Sequence, residues 1–174
     1  IKETDGIQED VYNSDGNVVS STIKDADGNV IRTTESEYQN GKVAKSIVTE
    51  YKDGKVVETA AYEYDGGKAT KKIQKDAEGK ITRIYDFEQN KEFTTPEEIN
   101  NYIKDSLKKD IENVKQDNIE EYKTKAKNAK EKGIISEEEY IELVNKAEEK
   151  ITSKSATGNT LKEAEEILNE EMNN

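Results

Sequence analysis

Residues 38–64 decide the fold and read YQNGKVAKSIVTEYKDGKVVETAAYEY. Two turn pairs, Asn40-Gly41 and Asp53-Gly54, interrupt runs in which apolar and polar residues alternate. Such pairs supply the positive φ angles that two-residue hairpin turns require, and alternation with a period of two is typical of strands. The stretch therefore predicts three consecutive antiparallel strands, with Gly41 and Gly54 at positive φ.

The same turn signal recurs along the first half of the chain. Further pairs follow at nearly regular spacing, at Asp5-Gly6, Asp15-Gly16, Asp27-Gly28, Gly66-Gly67 and Glu78-Gly79. We therefore predict that residues 1–93 form an antiparallel β-meander of DG/NG hairpins, built from a degenerate repeat. For the last turn we expect a three-residue loop over residues 77–79, or a bulge, because a two-residue turn would send Ile81 and Tyr85 to the opposite face.

The two-residue turns also predict the register of the strands, because the turn type fixes which residues face each other. The expected pairs are Tyr38 with Val43, Tyr51 with Val56, Tyr64 with Ala69, Ile47 with Ala60, and Ala60 with Ile73. This register places the apolar residues and the tyrosines on one face of the sheet. We expect helices to cover only part of that face. The predicted contact surface for a partner comprises Tyr38, Tyr51, Tyr62 and Tyr64.

Four segments of this meander carry a resemblance to known families: residues 37–43 (EYQNGKV), 50–56 (EYKDGKV), 63–69 (EYDGGKA) and 76–87 (DAEGKITRIYDF). They resemble the YD (RHS-type) repeats of bacterial surface and toxin-shell proteins, which alternate a Tyr-Asp step with a Gly turn. The long polar meander is also similar to the single-layer sheet of the spirochaete outer surface protein A family. Both resemblances imply a surface scaffold that has no catalytic residues.

Residues 94–174 are predicted to form a three-helix region. Thr95-Pro96-Glu97-Glu98 is a helix start, with Thr95 as the N-cap and Glu98 at the third position, and helical spacing of apolar residues continues to residue 131. Two alternatives stay open: one helix of about 53 Å, or a break near Asp117-Asn118.

Two further helices follow the glycine at position 133 in this prediction. Ser136 begins the second with a capping box, and Thr160 begins the third. The expected apolar side of the second helix consists of Tyr140, Ile141, Val144, Ala147 and Ile151. The fold class is thus α+β, with a helical bundle domain (residues 94–174) packed on or beside the sheet domain (residues 1–93).

Composition excludes several function classes. The chain has 27 basic and 39 acidic residues, and both predicted domains are acidic, so neither nucleic acid nor an anionic membrane surface is an expected partner. Cysteine and histidine are absent, which removes thiolate chemistry and the usual general base and zinc ligand. No apolar run approaches the length of a membrane-spanning helix, which needs about 18 residues or more, so we expect no membrane insertion.

Carboxylates are abundant, but none of them forms a convincing metal or catalytic motif. Residues 25–30 (DADGNV) are similar to a calcium loop, but the first ligand position would fall on Ile23, which has no oxygen to offer, so a hairpin turn is the better interpretation. A carboxylate-based hydrolase needs two carboxyls at a set separation in a cleft, and no segment indicates one. We therefore expect no cofactor and no tightly bound metal, and weak calcium binding at turn carboxylates stays open.

These observations predict a non-enzymatic structural or adhesive module of a larger bacterial surface or secreted protein. Its expected location is extracellular or on the cell surface. Because the chain begins at Ile1 rather than Met, we expect a processed product or an excised fragment. The alternative is a protein-binding module that presents the tyrosine-lined face or the helical bundle to a protein partner or to neighbouring repeats of the same polypeptide.

Overall fold

The computed structural model describes residues 6–153, and in them an antiparallel sheet is followed by helices. This is the predicted α+β fold. The described residues divide into two compact units, one ending at Ile99 and the other beginning at Asn100. The helix predicted from Thr160 onward lies outside the described residues.

Eight strands form one sheet in which each strand pairs with its neighbours in the chain. The strands are β1 (Ile7–Tyr12), β2 (Val18–Lys24), β3 (Val30–Gln39), β4 (Lys42–Lys52), β5 (Lys55–Asp65), β6 (Lys68–Asp76), β7 (Ile81–Asp86) and β8 (Lys91–Phe93). All pairings are antiparallel, as the turn signals predict.

The hairpins from β1 to β7 use two kinds of turn. Between β3 and β6 the turns have two residues, and both central residues have positive φ: 53° and 74° at Asn40-Gly41, and 53° and 73° at Asp53-Gly54. The predicted positive φ of Gly41 and Gly54 is therefore confirmed. The β6–β7 loop has three residues, because the Asp76 backbone N–H donates to the Lys80 carbonyl and the Asp76 carboxylate accepts the Lys80 N–H at 2.8 Å. The expected three-residue loop over residues 77–79 is thus confirmed.

Each of the six hairpins from β1 to β7 also contains a β-bulge. In every one, the second strand has one unpaired residue shortly after the turn, so the register shifts there by one; the unpaired residues are Val19, Ile31, Ala44, Val57, Thr70 and Thr82. The middle hairpins therefore share a repeat unit with an odd number of residues, whose first positions are Tyr38, Tyr51 and Tyr64.

The bulges correct part of the predicted register. Tyr38 pairs with Val43, Tyr51 with Val56 and Tyr64 with Ala69, as predicted. The predicted pairs of Ile47 with Ala60 and of Ala60 with Ile73 are wrong, because Ile47 and Ile73 both pair with Ala61. The turns determine only the pairs next to them, and a bulge shortly after each turn shifts every pair beyond it.

The shift also divides the predicted tyrosine-lined face between two faces. One face, called here the isoleucine face, contains a row of mutually paired residues across five strands: Ile47, Ala61, Ile73, Ile84 and Phe93. Tyr51 is four residues from Ile47 in the same strand and lies on this face. The opposite face, called here the tyrosine face, contains Tyr38, Tyr62, Tyr64 and Tyr85, together with Ser46 and Ala60.

Few side chains of the sheet are fully buried. In strands β2–β6, all of them within the described residues, only Ser46 and Ala60 are buried, and most other positions on both faces are half-buried. Burial is deeper at the end of the sheet, where Ile84 is fully buried and Asp86 and Phe93 are buried. Turns and cross-strand pairs, rather than a core, therefore hold the middle of the sheet.

Two of the helices begin at the predicted capping boxes. Helix α1 (Pro96–Asp110) has the predicted capping box: the Glu98 backbone N–H donates to Thr95 Oγ1 at 3.2 Å, and the Thr95 N–H donates to the Glu98 carboxylate at 3.1 Å. A 3-10 turn (Ile111–Asn113) and an irregular segment separate α1 from α2 (Ile119–Glu131). The broken-helix alternative is thus correct, and the break begins several residues before Asp117.

The third helix of the described residues, α3, is helical over residues 137–153. Its predicted capping box is confirmed, since the Glu139 N–H donates to Ser136 Oγ at 3.1 Å and the Ser136 N–H donates to the Glu139 carboxylate at 2.8 Å. The predicted apolar side needs one correction: Ile141 is 49% exposed, and Leu143, which the prediction omitted, is buried. A core stripe through Tyr140 and Ala147 continues at spacings of three and four, which select position 143 and exclude position 141.

Candidate functional site

Three of the four residues predicted to contact a partner lie on the tyrosine face. Tyr62 pairs with Ser46, and its ring lies in a stacked arrangement with that of Tyr64, with ring centroids 6.4 Å apart. The ammonium group of Lys72, the partner of Tyr62 on the next strand, lies 5.6 Å from the Tyr62 ring centroid, within the range of a cation–π interaction. Tyr38 donates its hydroxyl proton to the Val18 carbonyl at 3.0 Å.

The fourth predicted residue, Tyr51, lies on the isoleucine face and takes no part in this group. The Ala44 bulge separates the two positions, because the face alternation of β4 is offset by one residue between Val43 and Lys45. A sign of this division is present in the sequence: the tyrosines at the first position of the repeat follow one another at an odd interval. An odd period combined with a bulge places equivalent residues of consecutive strands on opposite faces.

The tyrosine side chains of this face are partly accessible to solvent. Tyr38, Tyr62 and Tyr64 are each half-buried. Each therefore offers part of an apolar ring, and tyrosine rings with a polar end are favoured at protein interfaces. Chemically, this arrangement can stack on aromatic or apolar groups and accept cations.

The helical unit contains a groove that the sequence reasoning missed. Its volume is about 420 Å³, and the apolar side chains of Ile111, Ile135 and Leu143 line it together with charged residues of α1, the 3-10 turn and α3. The charged residues are three lysines and three glutamates: Lys104, Lys108, Lys146, Glu112, Glu139 and Glu142. These residues fall into two sets with helical spacing, at positions 104, 108 and 112 and at positions 139, 142 and 146, but the sequence does not show that the two sets meet.

The charges of this groove largely neutralise one another. Lys104 lies 3.3 Å from the Glu139 carboxylate, and Lys146 lies 2.5 Å from that of Glu142. The pKa of Glu139 is lowered, first by the hydrogen bond from the Ser136 backbone and then by Lys104. The pKa of Glu142 is lowered mainly by the hydrogen bond from Lys146. Both glutamates are therefore held in the ionised form by hydrogen bonds and ion pairs within the helical unit.

The segment that is similar to a calcium loop is a hairpin turn in the structure. Oδ1 of Asp25 accepts the backbone N–H of Asp27 at 3.0 Å and that of Asn29 at 2.8 Å, which closes the loop between β2 and β3. The hydrogen bonds from the side chain and backbone of Asn29 lower the pKa of Asp25. Within residues 6–153, no three Asp or Glu side chains are grouped so that they could hold a metal ion. None of the helices described in the structure has the length and apolar character of a membrane span.

Comparison with known proteins gave few matches. No protein-family model matches the chain, and neither does any curated protein. Solved structures to which part of the chain is similar include a point mutant of TarM from S. aureus in complex with fondaparinux, alpha-GlcNAc-glycerol and UDP (TM-score 0.26, 15% identity), with 57% of this chain matching 24% of that one.

Two smaller proteins are matched over most of their own length. A DUF3836 family protein from Parabacteroides distasonis has a TM-score of 0.30 and 15% identity, over 53% of this chain and 91% of that one. A protein with unknown function from Bacteroides fragilis has a TM-score of 0.22 and 12% identity, over 55% of this chain and 96% of that one. At these TM-scores the likenesses carry no statement on fold or function.

Proposed function

We propose that this chain is a non-enzymatic structural or adhesive module of a larger bacterial surface or secreted protein. The observation that carries the proposal is the repeated, bulged hairpin. It builds a sheet whose middle strands, β2–β6, have only two buried side chains. Such a sheet extends by adding strands and does not require a growing core, which is a property that suits a scaffold.

The stability of this scaffold comes from contacts that repeat with each strand. Tight turns with the glycines that positive φ requires close the hairpins, and cross-strand pairs contribute roughly 0.2–1 kcal/mol each. Ion pairs across neighbouring strands, such as Lys71 with Glu63 at 3.1 Å and Arg32 with Glu50 at 2.7 Å, fit the same arrangement. The resemblance to YD repeats of bacterial surface proteins supports the location outside the cell.

Lysine labelling on intact cells tests the location. Lys52, Lys55 and Lys68 are exposed at turns and would react with a membrane-impermeant amine reagent. We expect mass spectrometry of cells that produce the parent protein to find these lysines labelled without lysis, while a cytoplasmic marker protein stays unlabelled. Labelling that occurs only after lysis would contradict the surface proposal, and substrate turnover that depends on particular carboxylates would contradict the non-enzymatic one.

A second candidate function, protein binding through the tyrosine face, is favoured by the stacked rings of Tyr62 and Tyr64. Tyr51 provides a matched control, because it is a half-buried tyrosine on the opposite face. If the tyrosine face binds a partner, Tyr62→Ala should weaken capture of that partner from an extract of its source and Tyr51→Ala should not, with both variants folded by circular dichroism. Equal effects of the two substitutions would mean that these tyrosines serve the sheet alone.

A further inference from the structure

The two end strands of the sheet differ in how their outer edges are protected. Strand β8 has three residues, and the ammonium group of Lys91 lies over the Phe93 ring at 4.7 Å from its centroid. Strand β1 has six residues, no lysine and no proline, and no strand of the described residues pairs with its outer edge. Short strands and lysines are the usual means by which proteins block pairing at a sheet edge. The short length and the lysine of β8 are missing at β1, whose charged residues are the carboxylates Glu9 and Asp10.

The β1 edge also exposes large apolar side chains. Ile7, Val11 and Tyr12 are 59%, 58% and 59% exposed. They lie on a single strand whose outer backbone donors and acceptors pair with no other strand of residues 6–153. An added strand can use the backbone groups for affinity and the side chains for selectivity, which is the recognition mode called β-augmentation.

The charges of the strands indicate which kind of strand would fit. From β1 to β6 the sign of the predominant charge alternates. Strands β1, β3 and β5 are mainly acidic: β1 has two acidic residues and no basic one, β3 has two glutamates and one arginine, and β5 has three acidic residues and one lysine. Strands β2, β4 and β6 are mainly basic: β2 has one lysine, β4 has three lysines and one glutamate, and β6 has four lysines and one aspartate. Opposite charges on neighbouring strands stabilise their pairing, and like charges oppose it.

Among the described residues, one carboxylate of this edge strand has no cation beside it. Glu9 pairs with Lys24 of β2 at 2.8 Å. Asp10 accepts hydrogen bonds from the side chains of Ser21 and Gln8, the latter at 3.0 Å, and within residues 6–153 it forms no ion pair. A second copy of β1 would bring further carboxylates to this edge, and each copy has a net charge of −12, so self-pairing is disfavoured.

We infer that the outer edge of β1 binds an extended, lysine-rich strand of another polypeptide by β-augmentation. A lysine of that strand would lie opposite Asp10, and its apolar residues would cover Val11 and Tyr12. The edge would bind such a strand wherever the protein resides, so a failure of this inference leaves the proposed scaffold function standing.

The test uses a fluorescently labelled peptide with the sequence of residues 68–76 (KATKKIQKD), the most basic strand of the sheet, and the full chain. A control peptide has its four lysines replaced by glutamate. We expect the fluorescence anisotropy of the lysine peptide to rise on titration with the protein, that of the glutamate peptide to stay constant, and added salt to weaken binding. Binding of both peptides alike, or of neither, would overturn the inference.

A matched pair of variants locates the binding to the edge. Val11→Lys adds a blocking lysine to β1, and Val57→Lys makes the same change at another exposed valine, which is 42% exposed in β5. We expect Val11→Lys to weaken binding at least about tenfold and Val57→Lys to leave it unchanged. If Val11→Lys does not fold, amide chemical shifts of the unaltered protein decide: changes on peptide addition must centre on residues 7–12. Changes centred elsewhere, or self-association of the unaltered chain that Val11→Lys abolishes, would overturn the inference.

Discussion

Backbone conformation at single turn residues determines whether the hairpins close. Gly54 has φ of 73°, and a side-chain β-carbon added there would meet no atom within 4 Å. The space is therefore open, and the cost of a larger residue comes from the backbone conformation alone. β-Branched residues tolerate this conformation poorly, and asparagine tolerates it well.

We accordingly expect Gly54→Val to lower the free energy of unfolding by about 1 kcal/mol or more. Gly54→Asn is the matched control and should cost clearly less, because asparagine adopts positive φ readily. Urea denaturation of the two variants measures the difference. Equal stability of Gly54→Val and the unaltered protein would show that the β4–β5 turn does not require positive φ.

In the helical unit, a single buried tyrosine makes stability depend on pH. Tyr122 is only 4% exposed, and its hydroxyl donates to the Leu107 carbonyl at 3.1 Å. Burial, and to a smaller extent the charge of Asp110, raises the pKa of Tyr122 to about 12. The neutral phenol is therefore favoured in the folded state.

The sign of the resulting pH dependence follows from this raised pKa. In the unfolded chain tyrosine ionises near pH 10, so the contribution of Tyr122 to stability is fully present below about pH 10 and is lost as the pH rises towards 12. We expect Tyr122→Phe to be less stable than the unaltered protein at pH 8 and to have a smaller loss of stability between pH 10 and 12. Thermal melts across that range are the measurement, and parallel curves for the two proteins would contradict the assignment.

At the scale of the strand, the bulge sets the register. In the β4–β5 hairpin, Tyr51 pairs with Val56 and Glu50 pairs with Glu58, so Val57 has no partner. Removing Val57 would leave both of these pairs and all later ones in place. The unpaired residue of the bulge can therefore be deleted, and the side chains of β5 keep their places on the two faces of the sheet.

We expect deletion of Val57 to give a folded protein in which Ile47 still lies opposite Ala61. Deletion of both Val57 and Thr59 removes the unpaired residue and one paired residue. The rest of β5 then moves by one position, so its side chains change to the opposite faces of the sheet. The double deletion should therefore unfold the sheet or strongly lower its melting temperature. Nuclear Overhauser effects between Ile47 and Ala61 check this. Their loss in the single deletion would contradict the role given to the bulge.

These bulges also mark the limit of what the sequence could predict. Turn positions, the antiparallel order and the helix caps each depend on a few neighbouring residues, such as Asp53-Gly54 or Thr95 with Glu98, and such signals can be read locally. The bulge at Ala44 has no comparable signature, because alanine, valine, isoleucine and threonine occupy equivalent positions. Two features of the sequence do indicate details that the prediction lacked. The odd interval between the repeated tyrosines indicates a bulge in each unit. An Asx residue three positions before glycine, as at Asp25 and Asp76, indicates a three-residue loop.

For the molecule as a whole, the candidate sites were less predictable than the fold. Tyr38, Tyr62 and Tyr64 could be selected as tyrosines on strands, but their separation from Tyr51 depends on the sum of turns and bulges between them. The groove of the helical unit requires the packing of α1 and α3, two helices that are distant in sequence. Its charged residues form two sets with helical spacing, within residues 104–112 and 139–146, and nothing in the sequence shows that the two sets line one groove.

Because the repeat unit has an odd number of residues and one bulge, the sheet keeps each side chain on its present face only if an even number of units is lost or gained. This is the parity rule of the sheet. Loss of one unit, residues 51–63, would join β4 directly to the turn before β6. Ile47 would then pair with Gln74, and Ile73 would lie on the face of the sheet opposite to that of Ile47. Loss of two units, residues 38–63, would place Ile73 opposite Glu35, the position that Ile47 now occupies. We expect the larger deletion to melt at a higher temperature than the smaller one, as calorimetry would measure, and the reverse order would refute the rule. Duplication or loss of repeats in the gene would then preserve both sides of the sheet only when an even number of units is gained or lost.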